Sequence, residues 1–269
     1  MKRSLVVVFG LVATLDVGGT FAQSPPSLDI LGVRLGMPRD AAVELLSTSP
    51  QSFAVTNTSS LAIEDLGTSV WHISLDSQHE NAVHQIVLDF ALPPTESTVQ
   101  RIYRNTCYNC SPSHAMSPDA PSAQNFVRSL AEKLGTSTPT LVKSRSADGE
   151  ATVYVWTPDG KLLSSTELGH RLRYPARCTN PPQLDSVRTN AGINFNLAFD
   201  DQNFANACGT VAEVSWFQER GVITHFDMTF TDVSGLLSSL AKSDGILQAK
   251  KSNEHQQELQ RANQNRPKL

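Results

Sequence analysis

Apolar and polar residues alternate from Val70 to Leu75 and again from Val83 to Phe90, the period of a half-buried strand. The polar segment Asp76 to Ala82 between them predicts an antiparallel hairpin. Trp71, Ile73 and Leu75 then face the core from one strand, and Ile86, Leu88 and Phe90 from the other. Strands are also predicted at Ala151 to Trp156, Ile193 to Phe199, Val211 to Phe217 and Val222 to Thr231. Thr98 to Tyr103 fits either period, and its β-branched and aromatic content favours a strand. Thr157-Pro158-Asp159-Gly160 has the proline and glycine positions of a tight turn.

A helical period appears in three places. Pro38 suits a first helical turn, and Ala42, Val43 and Leu46 continue a helix to about Ser47, with Gly36 making a tight turn before it. Ser122 caps a second helix whose apolar stripe is Phe126, Val127, Leu130 and Leu134, ended by Gly135. Val233 to about Leu247 carries Leu236, Leu237, Leu240 and Ile246 and predicts a third. Ser111 to Ser122 and Tyr174 to Asn190 read as loops. Lys250 to Leu269, with five basic residues against two glutamates and Leu259 its main apolar residue, reads as a frayed polar tail.

The order helix, strands, helix, strands, helix predicts an α+β fold, in which antiparallel sheet carries short helices on one face. Two similar helix–sheet units fit that order. The divisions are a leader over 1–22, a helix–strand unit with the second helix over 23–135, antiparallel strands with a C-terminal helix over 136–249, and the tail over 250–269.

The leader has the three parts of an export signal. Lys2 and Arg3 precede the apolar run Leu5 to Ala13, and Thr20-Phe21-Ala22 offers a cleavage site after Ala22. The run is far shorter than the ~20 residues of a membrane-spanning helix. The expected location is therefore the periplasm or the exterior, with no integral membrane segment in the mature chain. The net charge of −4 comes without a dense basic stripe, which argues against nucleic acid as a partner.

Four cysteines, Cys107, Cys110, Cys178 and Cys208, form an even set in an exported chain and suggest two disulfides. Three pairings are open from sequence. Proximity favours Cys107 with Cys110 and Cys178 with Cys208. Closing the ~31-residue loop of the second pair contributes roughly 3–4 kcal/mol on the chain-entropy model, about twice the short ring.

Gly32-Val33-Arg34-Leu35-Gly36-Met37, followed by a short helix, resembles an opening of many exported bacterial proteins. Those are the small lipoproteins of outer-membrane assembly and the secreted β-lactamase inhibitor proteins. Phe126 to Gly135, followed by Pro139, is similar to a second helix of the same proteins. Pro38 stands where their helix begins with Ser or Thr, and no cysteine is placed to carry lipid. The resemblance implies a helix packed on antiparallel sheet in an exported, non-catalytic, protein-contacting module.

His79 and His84 are five positions apart, which on a helix turns the second imidazole about 140° from the first. His72 and His84 fall in opposite strand phases. Neither pair makes a metal site. Cys107-Tyr108-Asn109-Cys110 has redox spacing, but Ser111-Pro112 follows it where an activating helix N-terminus would stand. There is no Gly-x-Ser-x-Gly elbow, no phosphate loop and no dinucleotide loop. The expectation is a non-catalytic binding protein without cofactor. Its partner would be a protein or envelope component, contacted by a sheet face or by the loops around Cys107 to Ser122 and Arg177 to Asn190. A thiol–disulfide protein using Cys107 and Cys110 is the alternative.

Overall fold

A computed structural model describes residues 28–63, 67–79, 82–110, 115–171, 178, 188–189, 192–193 and 208–264. The leader and the predicted strand Ile193 to Phe199 lie wholly or almost wholly outside them. The first described elements are β1 (Asp29–Ile30) and β2 (Val33–Arg34), a miniature hairpin. Gly36 follows at φ +80°, and its N–H donates to the Val99 carbonyl at 2.7 Å. Only a residue tolerant of positive φ makes that turn easily. Pro38 then flanks α1 (Arg39–Ser47), which buries Ala42 and Leu46.

The chain next forms four antiparallel strands in sequence order: β3 (Ala54–Ile63), β4 (Gly67–His79), β5 (Ala82–Phe90) and β6 (Val99–Cys107). The second half repeats the plan. Ser122 caps α2 (Ala123–Leu134) by accepting the Asn125 N–H at 3.2 Å, and Gly135 ends it in the left-handed region. Then come β7 (Leu141–Ser146), β8 (Gly149–Trp156), β11 (Thr210–Glu219) and β12 (Val222–Asp232). Between β8 and β11 lie α3 (Ser165–Arg171) and the short pair β9 (Arg188–Thr189) and β10 (Gly192–Ile193). The last strands of the two halves, β6 and β12, pair antiparallel and make one eight-stranded sheet, ordered β3-β4-β5-β6-β12-β11-β8-β7.

The α+β class with antiparallel sheet and two helix–sheet units is the architecture found. The repeat starts at Ser122, not after Gly135. Phe126 of α2 packs on Trp216 and Phe226 of the second half, with ring centroids 5.8 and 5.1 Å away. Helices lie on both faces rather than one. On one face α1 and α2 bury Ile73, Leu75, Ile86, Leu88, Val214 and Phe230, and Lys133 of α2 reaches Asp29 at 3.2 Å. On the other face α4 (Val233–Gln264) lays Val233, Leu236, Leu237 and Leu240 over Val153, Val155 and Val211.

Trp71 belongs to this second core, not beside Ile73. A register shift opposite Ser59 and Ser60 makes Trp71 the one extra residue of β4 at that point. One extra residue in a strand re-aims the side chain at the bulge. The predicted loop Asp76 to Ala82 is mostly strand, because β4 runs to His79. The tail also differs from expectation: α4 continues to Gln264, and its residues from 251 to 262 are exposed. Gln, Lys, Glu and Ala are intrinsically good helix formers, so the segment extends a nucleated helix without packing.

The two halves of α4 therefore differ in what they contribute. Leu240→Ala should cost about 2–5 kcal/mol in denaturant unfolding, the range for a buried leucine. Leu259→Ala should stay within about 0.5 kcal/mol, because that side chain is exposed.

Candidate functional site

Side chains on adjacent strand positions point to opposite faces. The residues left between the core positions therefore share the face that carries α4. That helix crosses one end of the sheet: Ser239 Oγ accepts from the Leu92 N–H at 2.8 Å and donates to the Leu92 carbonyl at 3.2 Å, and Ser243 Oγ donates to the Pro93 carbonyl. Beyond it, the β-ladder sets rows of half-exposed side chains side by side. One row is Ser74, Val87, Tyr103, Thr229 and Glu213; the next is Asp76, Gln85, Asn105, Asp227 and Ser215.

Asp227 is the hub. Its Oδ1 accepts from the Tyr103 hydroxyl at 2.6 Å and from Asn105 Nδ2 at 2.8 Å, and its Oδ2 lies 3.0 Å from His225 Nε2 and accepts from Ser215 Oγ at 3.3 Å. Partial burial alone would raise the pKa of this carboxyl. The bonds from His225, Tyr103 and Asn105 outweigh that and hold it at about 2. The Tyr103 phenol moves the other way, up to about 12, through burial and then its bond to the Asp227 carboxylate. Ser215 bonds the carboxylate and not the imidazole, so these three residues do not form a nucleophile–base–acid relay.

A second cluster lies next to α4. Buried Asp89 holds His72 Nδ1 2.8 Å from its Oδ1 and accepts from Arg101 at 3.1 Å, while His72 Nε2 lies 3.1 Å from Ser74 Oγ. At the far end Phe217 is 55% exposed, with its ring 6.2 Å from that of His225. It faces Gly149 across the ladder, where any Cβ would collide with the Trp216 carbonyl. Between these features is a shallow depression lined by Asp76, Ser77, Val83, Gln85 and Asn105.

Both expected cysteine pairs are at disulfide distance, Cys107 with Cys110 and Cys178 with Cys208, with Cα atoms 5.5 and 5.9 Å apart. Cys107 is the last residue of β6, between Val83 and His225, so it borders the polar face. Residues 115–121 form turns without a helix, and α2 starts only at Ala123. Cys178 and Cys208 are buried in the core under α4. His72 and His84 are on opposite faces, as their phases predict; His84 is buried on the helix side, 3.2 Å from Thr106 Oγ1. Of the expected contact loops, 111–114 and most of Arg177 to Asn190 lie outside the described residues.

Sequence reasoning missed Tyr103, Asn105, His225 and Asp227 as a group. Their one local signal is polar residues in alternate positions of otherwise apolar strands. No helix among the described residues is long and apolar enough to cross a membrane. No family model, curated protein or solved structure matches the chain.

The hub sets the pH behaviour. Because the folded pKa of Asp227 lies below its unfolded value, its stabilisation is complete above about pH 4 and is lost as the pH falls towards 2. In urea titrations, Asp227→Asn should be less stable than the parent at pH 7, with the gap closing by pH 2. Ultraviolet titration of the parent should show a tyrosine ionising near pH 12 that moves towards 10 in Asp227→Asn.

Proposed function

We propose that this chain is an exported, non-catalytic binding protein that docks a protein partner on the open face of its sheet, in the periplasm or outside the cell. The observation that carries the reading is the Tyr103–Asn105–His225–Asp227 network, half-exposed on regular strands and bordered by exposed Phe217. Tyrosine and phenylalanine are enriched where proteins meet, because they supply large contact area at low entropic cost. Mutual hydrogen bonds fix these side chains before any partner arrives, which lowers the cost of ordering them.

The size of the face supports the same reading. Eight strands spaced about 4.8 Å apart span roughly 35 Å, and alternate residues along the open stretch add roughly 20 Å, giving on the order of 700 Å². A standard interface buries about 800 Å² per partner. The two cysteine pairs and the leader support an oxidising compartment. Cys107 is buried at a strand end, and we read its bridge to Cys110 as a clamp beside the face, not as a cycling redox pair.

Affinity capture from exported proteins of the producing cell tests this. The parent should retain a defined partner that Phe217→Asp loses by at least about tenfold, with unfolding unchanged because the side chain is exposed. Equal capture by both proteins, or loss on substituting exposed Val127 on the helix side, would place the contact elsewhere.

A further inference from the structure

We infer that the depression beside Asp76 is a socket for a lysine or arginine side chain of the docked partner; this rests on the docking reading above. The acids of the open face are otherwise supplied with donors from within the chain. Asp89 has His72 and Arg101, Asp227 has its four partners, and Glu213 has Lys143 at 2.7 Å. Asp76 is different. It sits between Ala54 of β3 and Gln85 of β5, its Oδ1 is buried without a hydrogen bond, and among the described residues its carboxylate meets no donor or cation. A carboxylate oxygen withdrawn from water without a donor is costly, so such groups are ordinarily paired.

The rest of the lining selects the donor. Gln85 makes no side-chain hydrogen bond among the described residues, so its amide oxygen is available. Asn105 Nδ2 donates to Asp227 and lies 3.2 Å from His225 Nε2, so the amide's nitrogen is turned to the network and its Oδ1 is left as an acceptor. Three acceptor groups therefore border the depression, with Val83 as an apolar wall. A long basic side chain matches this pattern, its methylene stem against Val83 and its charged head on Asp76. A hard metal ion matches it poorly, since calcium takes six to eight oxygen ligands. Asp76 and Gln85 lie in the same row as Asn105 and Asp227, so a side chain in the depression belongs to a partner lying on the network itself.

The test uses the full ¹⁵N-labelled chain, followed by ¹H–¹⁵N spectra during titration with Nα-acetyl-arginine amide and Nα-acetyl-lysine amide. Neutral Nα-acetyl-citrulline amide and calcium chloride serve as controls. The basic amides should give saturable shifts at Asp76, Gln85 and Asn105, with affinity around the millimolar range. Asp76→Asn, which keeps the side-chain shape, should weaken binding at least about tenfold, and Gln85→Leu should weaken it less. Equal shifts with citrulline amide, indifference to both substitutions, or a response to calcium alone would overturn the inference. If the basic amides fail while Phe217→Asp still abolishes partner capture, the socket is wrong and the docking face stands. If both fail, the docking face falls as well.

Discussion

Antiparallel pairing of β6 with β12 is the constraint on which the rest depends. Each is the last strand of a four-stranded meander, and seven registered residue pairs, from His225–Cys107 to Thr231–Arg101, join them at the middle of the sheet. A hairpin or a lone meander has little independent stability without a covered face. Fusion gives both halves one continuous core under α1 and α2. The seam also makes the polar network, since Tyr103 and Asn105 come from β6 and His225 and Asp227 from β12. Slipping the seam by one residue would turn these side chains into the core and bring Ile102 and Phe230 out.

The second face is covered unevenly, and that unevenness leaves part of it open to solvent. Leucines of α4 cover the end of the sheet where Val153, Val155 and Val211 lie, and the insertion carrying Cys178 and Cys208 adds to that core. Beyond it, polar side chains replace the valines and satisfy one another across strands. The outer edges are β3, whose middle is Thr56-Asn57-Thr58-Ser59-Ser60, and β7, with Lys143 and Arg145. Polar and charged edge strands discourage further strand pairing. The geometry therefore favours contact through the face over contact through the edges.

Much of this fold was legible in the sequence. Strands such as Val83 to Phe90, buried on one face and wet on the other, declare themselves by period, as do α1 and α2 by stripe and cap. The edge strands β3 and β7 do not, since every residue of β7 is exposed and no alternation results. The helix α3 has a local signal of its own in the sequence. Ser164 accepts the Glu167 N–H while Glu167 accepts the Ser164 N–H, a capping box. The site was less legible, because Tyr103 and Asp227 are 124 positions apart and only the seam brings them together. A polar residue at the seam looks the same in sequence as one on any wet strand face.

Site-specific photo-crosslinking in the producing cell tests the central claim most directly. A photoreactive residue at Phe217 reports on the open sheet face, and one at Val127 reports on the helix side. The account requires an adduct of defined mass from position 217 that disappears in Asp227→Asn or Tyr103→Ala, with none from position 127. Adducts from position 127 alone, or none from either position, would contradict it.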